Sequence, residues 1–115
     1  MEKNIEKLKF PIGKYKAILE FNFSRTVEDI KTLESFSQKL KDAVKGLDKT
    51  DLKKTYRDGG MNIAQIIHHY CDTHTYAFIR TKHTLLEDNP SVKMYEVSEF
   101  LTTPESNVLD INAVS

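Results

Sequence analysis

Apolar side chains recur every three or four residues along two stretches of this chain, the spacing that places them on one face of an α-helix. The first stretch carries Val27, Ile30, Leu33, Phe36, Leu40, Val44 and Leu47, and predicts a helix over about 24–47. Thr26 followed by Asp29 resembles a capping box, with an acceptor for orphan N–H groups and a carboxylate near the positive helix end. Gly46 marks the end of this helix. Lysines and glutamates fill its outer face and read as a solvated surface. The second stretch starts near Asn62, with Gln65 three residues later as a reciprocal cap. It predicts a helix over about 62–88 that Asn89-Pro90 stops. Ile63, Ile67, Tyr70, Ala77, Thr81 and Leu85 line one side, and Ile66 and Phe78 widen the stripe. Such breadth suits a helix that touches more than one neighbour.

The remaining segments read as connections. Residues 1–23 are expected to be irregular or extended, a wrapping arm rather than a strand, with a turn at Pro11-Ile12-Gly13. In the connection between the helices, Asp58-Gly59-Gly60 permits positive backbone dihedrals and a close approach of chain segments. Residues 91–115 read as a tail with Pro104 and several turn formers, and 110–115 read as the entry into another helix.

Composition narrows the class. At 115 residues the chain is at most one domain, and 39% hydrophobic with 30% charged residues reads as globular rather than disordered. Lys plus Arg and Asp plus Glu both count 17, so the formal net charge is zero and nothing attracts nucleic acid or an anionic membrane over long range. No apolar run approaches the roughly 18 residues of a membrane span, and the N-terminus lacks the apolar stretch of a signal peptide. The single cysteine, Cys71, has no internal disulfide partner, which makes the cytoplasm the expected compartment. No glycine-rich phosphate loop, dinucleotide fingerprint or paired-cysteine zinc motif is present.

Chemistry concentrates in four histidines, His68, His69, His74 and His83, all on the second helix. Two ligands on one helix usually sit three or four residues apart, because both rings must face one way. None of these pairs has that spacing. His68 and His69 diverge by about 100°, and His69 and His74 by about 140°, so no two converge easily on one metal within the chain. His74 falls in the middle of the apolar stripe and reads as a buried, hydrogen-bonded packing residue. His69 and His68 lie on opposite flanks, and spacing alone leaves packing and ligation both open for each. His83 reads as solvent-facing, and Cys71 as a small buried hydrophobe. Tyr56-Arg57-Asp58 could hold an anion, although the simpler reading is that it satisfies loop backbone groups.

Taken in order, the motifs resemble a known family. Phe10-Pro11-Ile12-Gly13-Lys14-Tyr15, Tyr56-Arg57-Asp58-Gly59-Gly60, Asn62-Ile63, Gln65-Ile66-Ile67-His68-His69, Asp72-Thr73-His74, Tyr76-Ala77-Phe78-Ile79-Arg80, Glu87-Asp88-Asn89-Pro90 and Lys93-Met94-Tyr95 resemble the YfiT-like branch of the DinB superfamily over essentially the whole chain. The resemblance implies an antiparallel four-helix bundle, commonly dimeric, that binds a divalent metal (zinc or nickel) through three histidines. One ligand corresponds to His69, with His68 as the fallback, and the other two come from an HxxxH pair on a fourth helix. It implies a metal-dependent hydrolase, or a thiol S-transferase using bacillithiol or a similar low-molecular-weight thiol on a small-molecule substrate. His74 and Asp72 would then support the ligand or pack around it, and Arg57 and Arg80 would contact substrate or thiol carboxylates.

Two departures shape the expectation. Met61 stands where such proteins usually have Trp, and the HxxxH pair is missing. The chain is therefore expected to be all-α, a single truncated domain over 1–115. It would form an antiparallel helix pair corresponding to the first half of the bundle, with an irregular N-terminal arm and a tail leading to a missing third helix. It is expected to be inactive alone. The alternatives are a non-enzymatic helical module that self-associates, or a degenerate relic.

Overall fold

The computed structural model describes residues 2–110. Its regular structure is helical, with no strand among the described residues. The expected start of a further helix over 110–115 lies almost entirely outside the described residues. The chain divides into two compact units, one ending at Leu47 and one beginning at Asp48.

The first unit opens with helix α1, Glu2–Lys9, where an irregular arm was expected. Ile5 and Leu8 are three residues apart, and Lys7 and Lys9 sit in the last turn, at the negative end of the helix dipole. Glu6 is 3.9 Å from Lys9 and 3.4 Å from Lys14. Phe10 donates to the Glu6 carbonyl, and Gly13, at φ +93°, closes a turn onto the Phe10 carbonyl. From there to Asn22 the chain has no regular structure.

Helix α2 runs Phe23–Val44. Its cap is Asn22, whose side chain accepts from the Arg25 N–H at 3.0 Å. The expected box of Thr26 and Asp29 is not the cap. Thr26 lies inside the first turn, and its hydroxyl donates to the Asn22 carbonyl. An Asn oxygen serves the orphan N–H groups as well as a Thr hydroxyl does, and the apolar run alone could not distinguish the two positions. At the far end Lys45 leaves the helical region and Gly46 adopts φ +84°. Val27, Phe36, Leu40 and Val44 are half-buried, whereas Ile30 and Leu33 are exposed.

The second unit begins with helix α3, Lys49–Leu52. Asp48 caps it and Asp51 returns the bond. The Lys54 ammonium, 2.7 Å from the Asp51 carboxylate, holds that carboxyl below its usual range, and the Asp48 N–H adds to the effect. The loop that follows is closed by an antiparallel bridge between Thr55 and Asn62. Two backbone bonds reinforce it, from Ile63 to Lys54 and from Gly60 to Arg57. Gly59 adopts φ +69°. A Cβ on Gly60 would lie 2.9 Å from both the Arg57 and the Tyr56 side chains and 3.2 Å from the Arg57 carbonyl, so only glycine fits there.

Helix α4 runs Ile63–Leu86. Asn62 and Gln65 form the reciprocal cap that their spacing predicts, at 2.8 and 3.0 Å. The helix stops two residues short of the expected end because Glu87 is already extended, and Asn89 takes φ +49° before Pro90. The buried apolar side chains of this unit are Leu52 of α3 and Ala64 and Ile67 of α4. They weld α3 to the first turns of α4. Further along, the apolar stripe of α4 is open: Phe78 is 61% and Leu85 79% exposed. After Pro90 the expected tail is more ordered than an irregular segment. It contains helix α5, Val97–Phe100, and a 3-10 turn, Pro104–Asn107.

Candidate functional site

The four histidines of α4 occupy four different settings. His68 is buried, 7% exposed, and its Nε2 lies 2.9 Å from the Val108 carbonyl. A carbonyl can only accept, so Nε2 carries the proton and donates. His69 is half-buried, its ring 6.4 Å from that of Tyr70. His74 is exposed and sits 6.5 Å from the Tyr70 ring. The expectation that it is a buried packing residue is corrected, for the stripe around it, Tyr70 and Phe78, is itself exposed. His83 is exposed and pairs through Nδ1 with Glu87 at 2.9 Å. Cys71, expected to be buried, is exposed. Asp72 is half-buried on the turn after His69.

Sequence reasoning did not anticipate the strap that crosses α4. Residues 93–108 run back along the helix toward its N-terminus through a series of ties. Arg80 donates to the Lys93 carbonyl at 2.8 Å. The Thr73 hydroxyl is 2.8 Å from the Tyr95 hydroxyl. The Tyr76 ring stacks on Tyr95 at 4.4 Å and meets the edge of Phe100 at 5.8 Å. Gln65 donates to the Asn107 side chain at 3.3 Å, and His68 ends the series at Val108. Ser106, the most buried polar residue at 2% exposure, donates to the Phe100 carbonyl and locks the strap on itself. At about 100° per residue, Gln65, Thr73, Tyr76 and Arg80 all lie within about 40° of the direction of His69. His69 therefore shares the direction of these tied residues, not merely a flank of the apolar stripe.

The two arginines expected to contact substrate are both engaged internally. Arg57 is half-buried. Its Nε donates to the Tyr56 hydroxyl at 3.1 Å, and its terminal nitrogen to the Asp58 carbonyl at 2.9 Å. Arg80, also half-buried, lies 5.2 Å from the centre of the Tyr76 ring, and its Nε is covered. The Arg57 guanidinium fixes its own loop, and that of Arg80 ties α4 to the start of the strap.

Among the described residues no three or more His, Cys, Asp or Glu side chains are grouped so as to hold a metal ion. A catalytic centre needs about three protein ligands and an open position, so these residues by themselves do not fit a complete one. The first unit contains a cavity of about 330 Å³ lined by Ile18, Glu20, Phe21, Asn22, Arg25, Thr26 and Asp29. None of the histidines borders it, and its walls offer no metal-binding set. No described helix is long and apolar enough to cross a membrane.

No protein-family profile matches the chain. Individual proteins do. A "putative metal-dependent hydrolase" of Geobacillus thermodenitrificans is 37% identical over 107 residues, which cover 93% of this chain and 60% of that protein. The metal-dependent hydrolase YfiT of Bacillus subtilis, named with the same qualifier, is 33% identical over 103 residues, covering 90% of this chain and 58% of YfiT. The solved structure of Bacillus subtilis YfiT, described as a probable metal-dependent hydrolase with an unusual four-helix bundle topology, superimposes with a TM-score of 0.89 at 31% identity. Over nearly its whole length this chain is similar to the YfiT-like proteins. The superposition covers 94% of this chain and 62% of the YfiT chain, so the present sequence spans about three fifths of the length of its YfiT-like relatives. The all-α expectation holds, with the bundle topology belonging to the YfiT neighbour.

Proposed function

We propose that this chain supplies one helical wall and a single imidazole donor, His69, to a metal-dependent hydrolase site of the YfiT type. The commitment of His68 to Val108 carries this reading. Of the adjacent pair, His68 is buried and has its Nε2 engaged, whereas His69 stands half-buried in the direction of the tied residues. The remaining ligands come from outside the described residues, in keeping with relatives about two fifths of whose length lies outside the matched region. A borderline divalent ion, zinc or nickel, matches an imidazole-based donor set. The bound substrate is a small molecule, with a low-molecular-weight thiol as the co-substrate if the reaction is a transfer. On this reading the 115-residue chain alone is inactive.

Titration with nickel, followed by NMR of the histidine rings, tests the assignment. Paramagnetic broadening is expected at His69 before His68, His74 and His83, and a zinc- or nickel-dependent esterase assay on the chain alone should read background. Broadening centred on another histidine, or metal-dependent turnover by the isolated chain, would overturn it.

A second reading, a helical module that self-associates, is favoured by the exposed apolar residues of both long helices, Ile30 and Leu33 of α2 and Phe78 and Leu85 of α4. It is compatible with the first, because an assembly of copies would cover those faces whatever the chemistry.

A further inference from the structure

We infer that the two adjacent histidines divide their roles: His68 is a positioning residue that latches the strap over α4, and His69 is left to bind. The inference rests on the proposed assignment of His69 and adds a function for its neighbour. The geometry of the bond is decisive. The carbonyl of Val108 obliges Nε2 of His68 to carry a proton, which removes that nitrogen from the list of lone-pair donors. The ring is 7% exposed, so its other nitrogen also has little access to an incoming ion.

The latch is also the last tie of a series. Arg80 holds the start of the strap at Lys93, Thr73 and Tyr76 hold its middle at Tyr95 and Phe100, and Gln65 and His68 hold its end at Asn107 and Val108. Gln65 is already occupied in the helix cap through its oxygen, and its bond to Asn107 is long at 3.3 Å. His68 therefore provides the short bond that closes the strap at the N-terminal end of α4. Four of the residues that receive the strap, Gln65, Thr73, Tyr76 and Arg80, share the direction of His69, so a loosened strap is expected to change the surroundings of that imidazole. A histidine in this position resembles a ligand in a sequence pattern, yet it acts through the backbone of a segment 40 residues away.

Two variants at position 68 and one at 69 test the latch. His68→Gln places an amide donor where Nε2 stands, and His68→Leu fills the volume without a donor. In His68→Leu, hydrogen exchange at the Ser106 and Val108 amides should accelerate about tenfold, the loss of one buried hydrogen bond. The nickel affinity read at His69 should fall several-fold. His68→Gln should restore both. His69→Ala should lose the metal response and leave exchange in the strap unchanged. Unchanged exchange in His68→Leu, failure of His68→Gln to restore it, or first broadening at His68 would overturn the latch. A metal response that survives His69→Ala would instead overturn the assignment of His69, with the exchange data still deciding the latch.

Discussion

At the scale of single residues, Gly60 shows how a loop is made unique by what it excludes. Its neighbour Gly59 is needed for its backbone angle, at φ +69°, but Gly60 is needed for space. Arg57 and Tyr56 pack against it, with the guanidinium 5.2 Å from the tyrosine ring and bonded to the tyrosine hydroxyl and the Asp58 carbonyl. A methyl group at position 60 would meet both side chains and the Arg57 carbonyl. Because backbone is among the obstacles, side-chain rotation alone cannot relieve the clash. Gly60→Ala should therefore destabilise the second unit by about 1–3 kcal/mol, the range for overpacking, read as a lowered denaturation midpoint with unchanged slope. Gly46→Ala serves as the comparison, since its Cβ would meet open space and only its φ of +84° opposes the change. The double glycine was visible in the sequence, and both of its uses were anticipated. Which glycine served which use was not, because that depends on where Arg57 and Tyr56 turn.

At the scale of elements, what was legible depended on how locally each element is determined. The cap of α4 was readable because Asn62 and Gln65 satisfy each other across three residues. The two long helices were readable because each carries several turns of periodic apolar positions. Helix α1 has only Ile5 and Leu8, less than two periods, and α3 is a four-residue turn fixed by Asp48 and Asp51. The strap is the extreme case. Its ties join residues 13, 22, 40 and 42 positions apart, and no local pattern encodes them. The same distance effect hid the environment of the histidines. Their directions around α4 followed from helical arithmetic, but which direction the strap would cover did not. It also hid what Arg80 touches. In isolation a guanidinium invites a carboxylate, whereas in the fold it stacks on Tyr76 and holds the Lys93 carbonyl. Arg80→Lys keeps the charge but loses the planar stack and the rigid fork. It should raise exchange at amides of the strap near Tyr95 and lower stability by about 1.5–3 kcal/mol, the scale of a charged hydrogen bond. Unchanged exchange near Tyr95 would show that the aromatic contacts of Tyr76, Tyr95 and Phe100 hold the strap without it.

At the scale of the whole molecule, the balance of buried and exposed apolar surface governs behaviour more than any single bond. The buried apolar side chains among the described residues are Leu52, Ala64 and Ile67, a very small core. Against them stand Ile30 and Leu33 on α2, Phe78, Leu85 and Leu86 on α4, and Ile12, Leu19 and Phe21 between α1 and α2, all exposed. Large exposed apolar side chains in each unit mark surface that something else covers. The formal net charge of zero provides no long-range repulsion to keep copies apart. The 115-residue chain should therefore sediment as a dimer or larger species at micromolar concentration. Placing a charge on one helix at a time separates the contributions. Leu33→Lys tests the face of α2 and Phe78→Lys the face of α4, and each should shift the distribution toward monomer if its face is buried between copies. These positions lie outside the strap and its ties, so the protection of Ser106 and Val108 should survive both substitutions even as the assembly weakens. A well-folded wild-type monomer across the concentration range would mean that the exposed stripes do not drive pairing of copies.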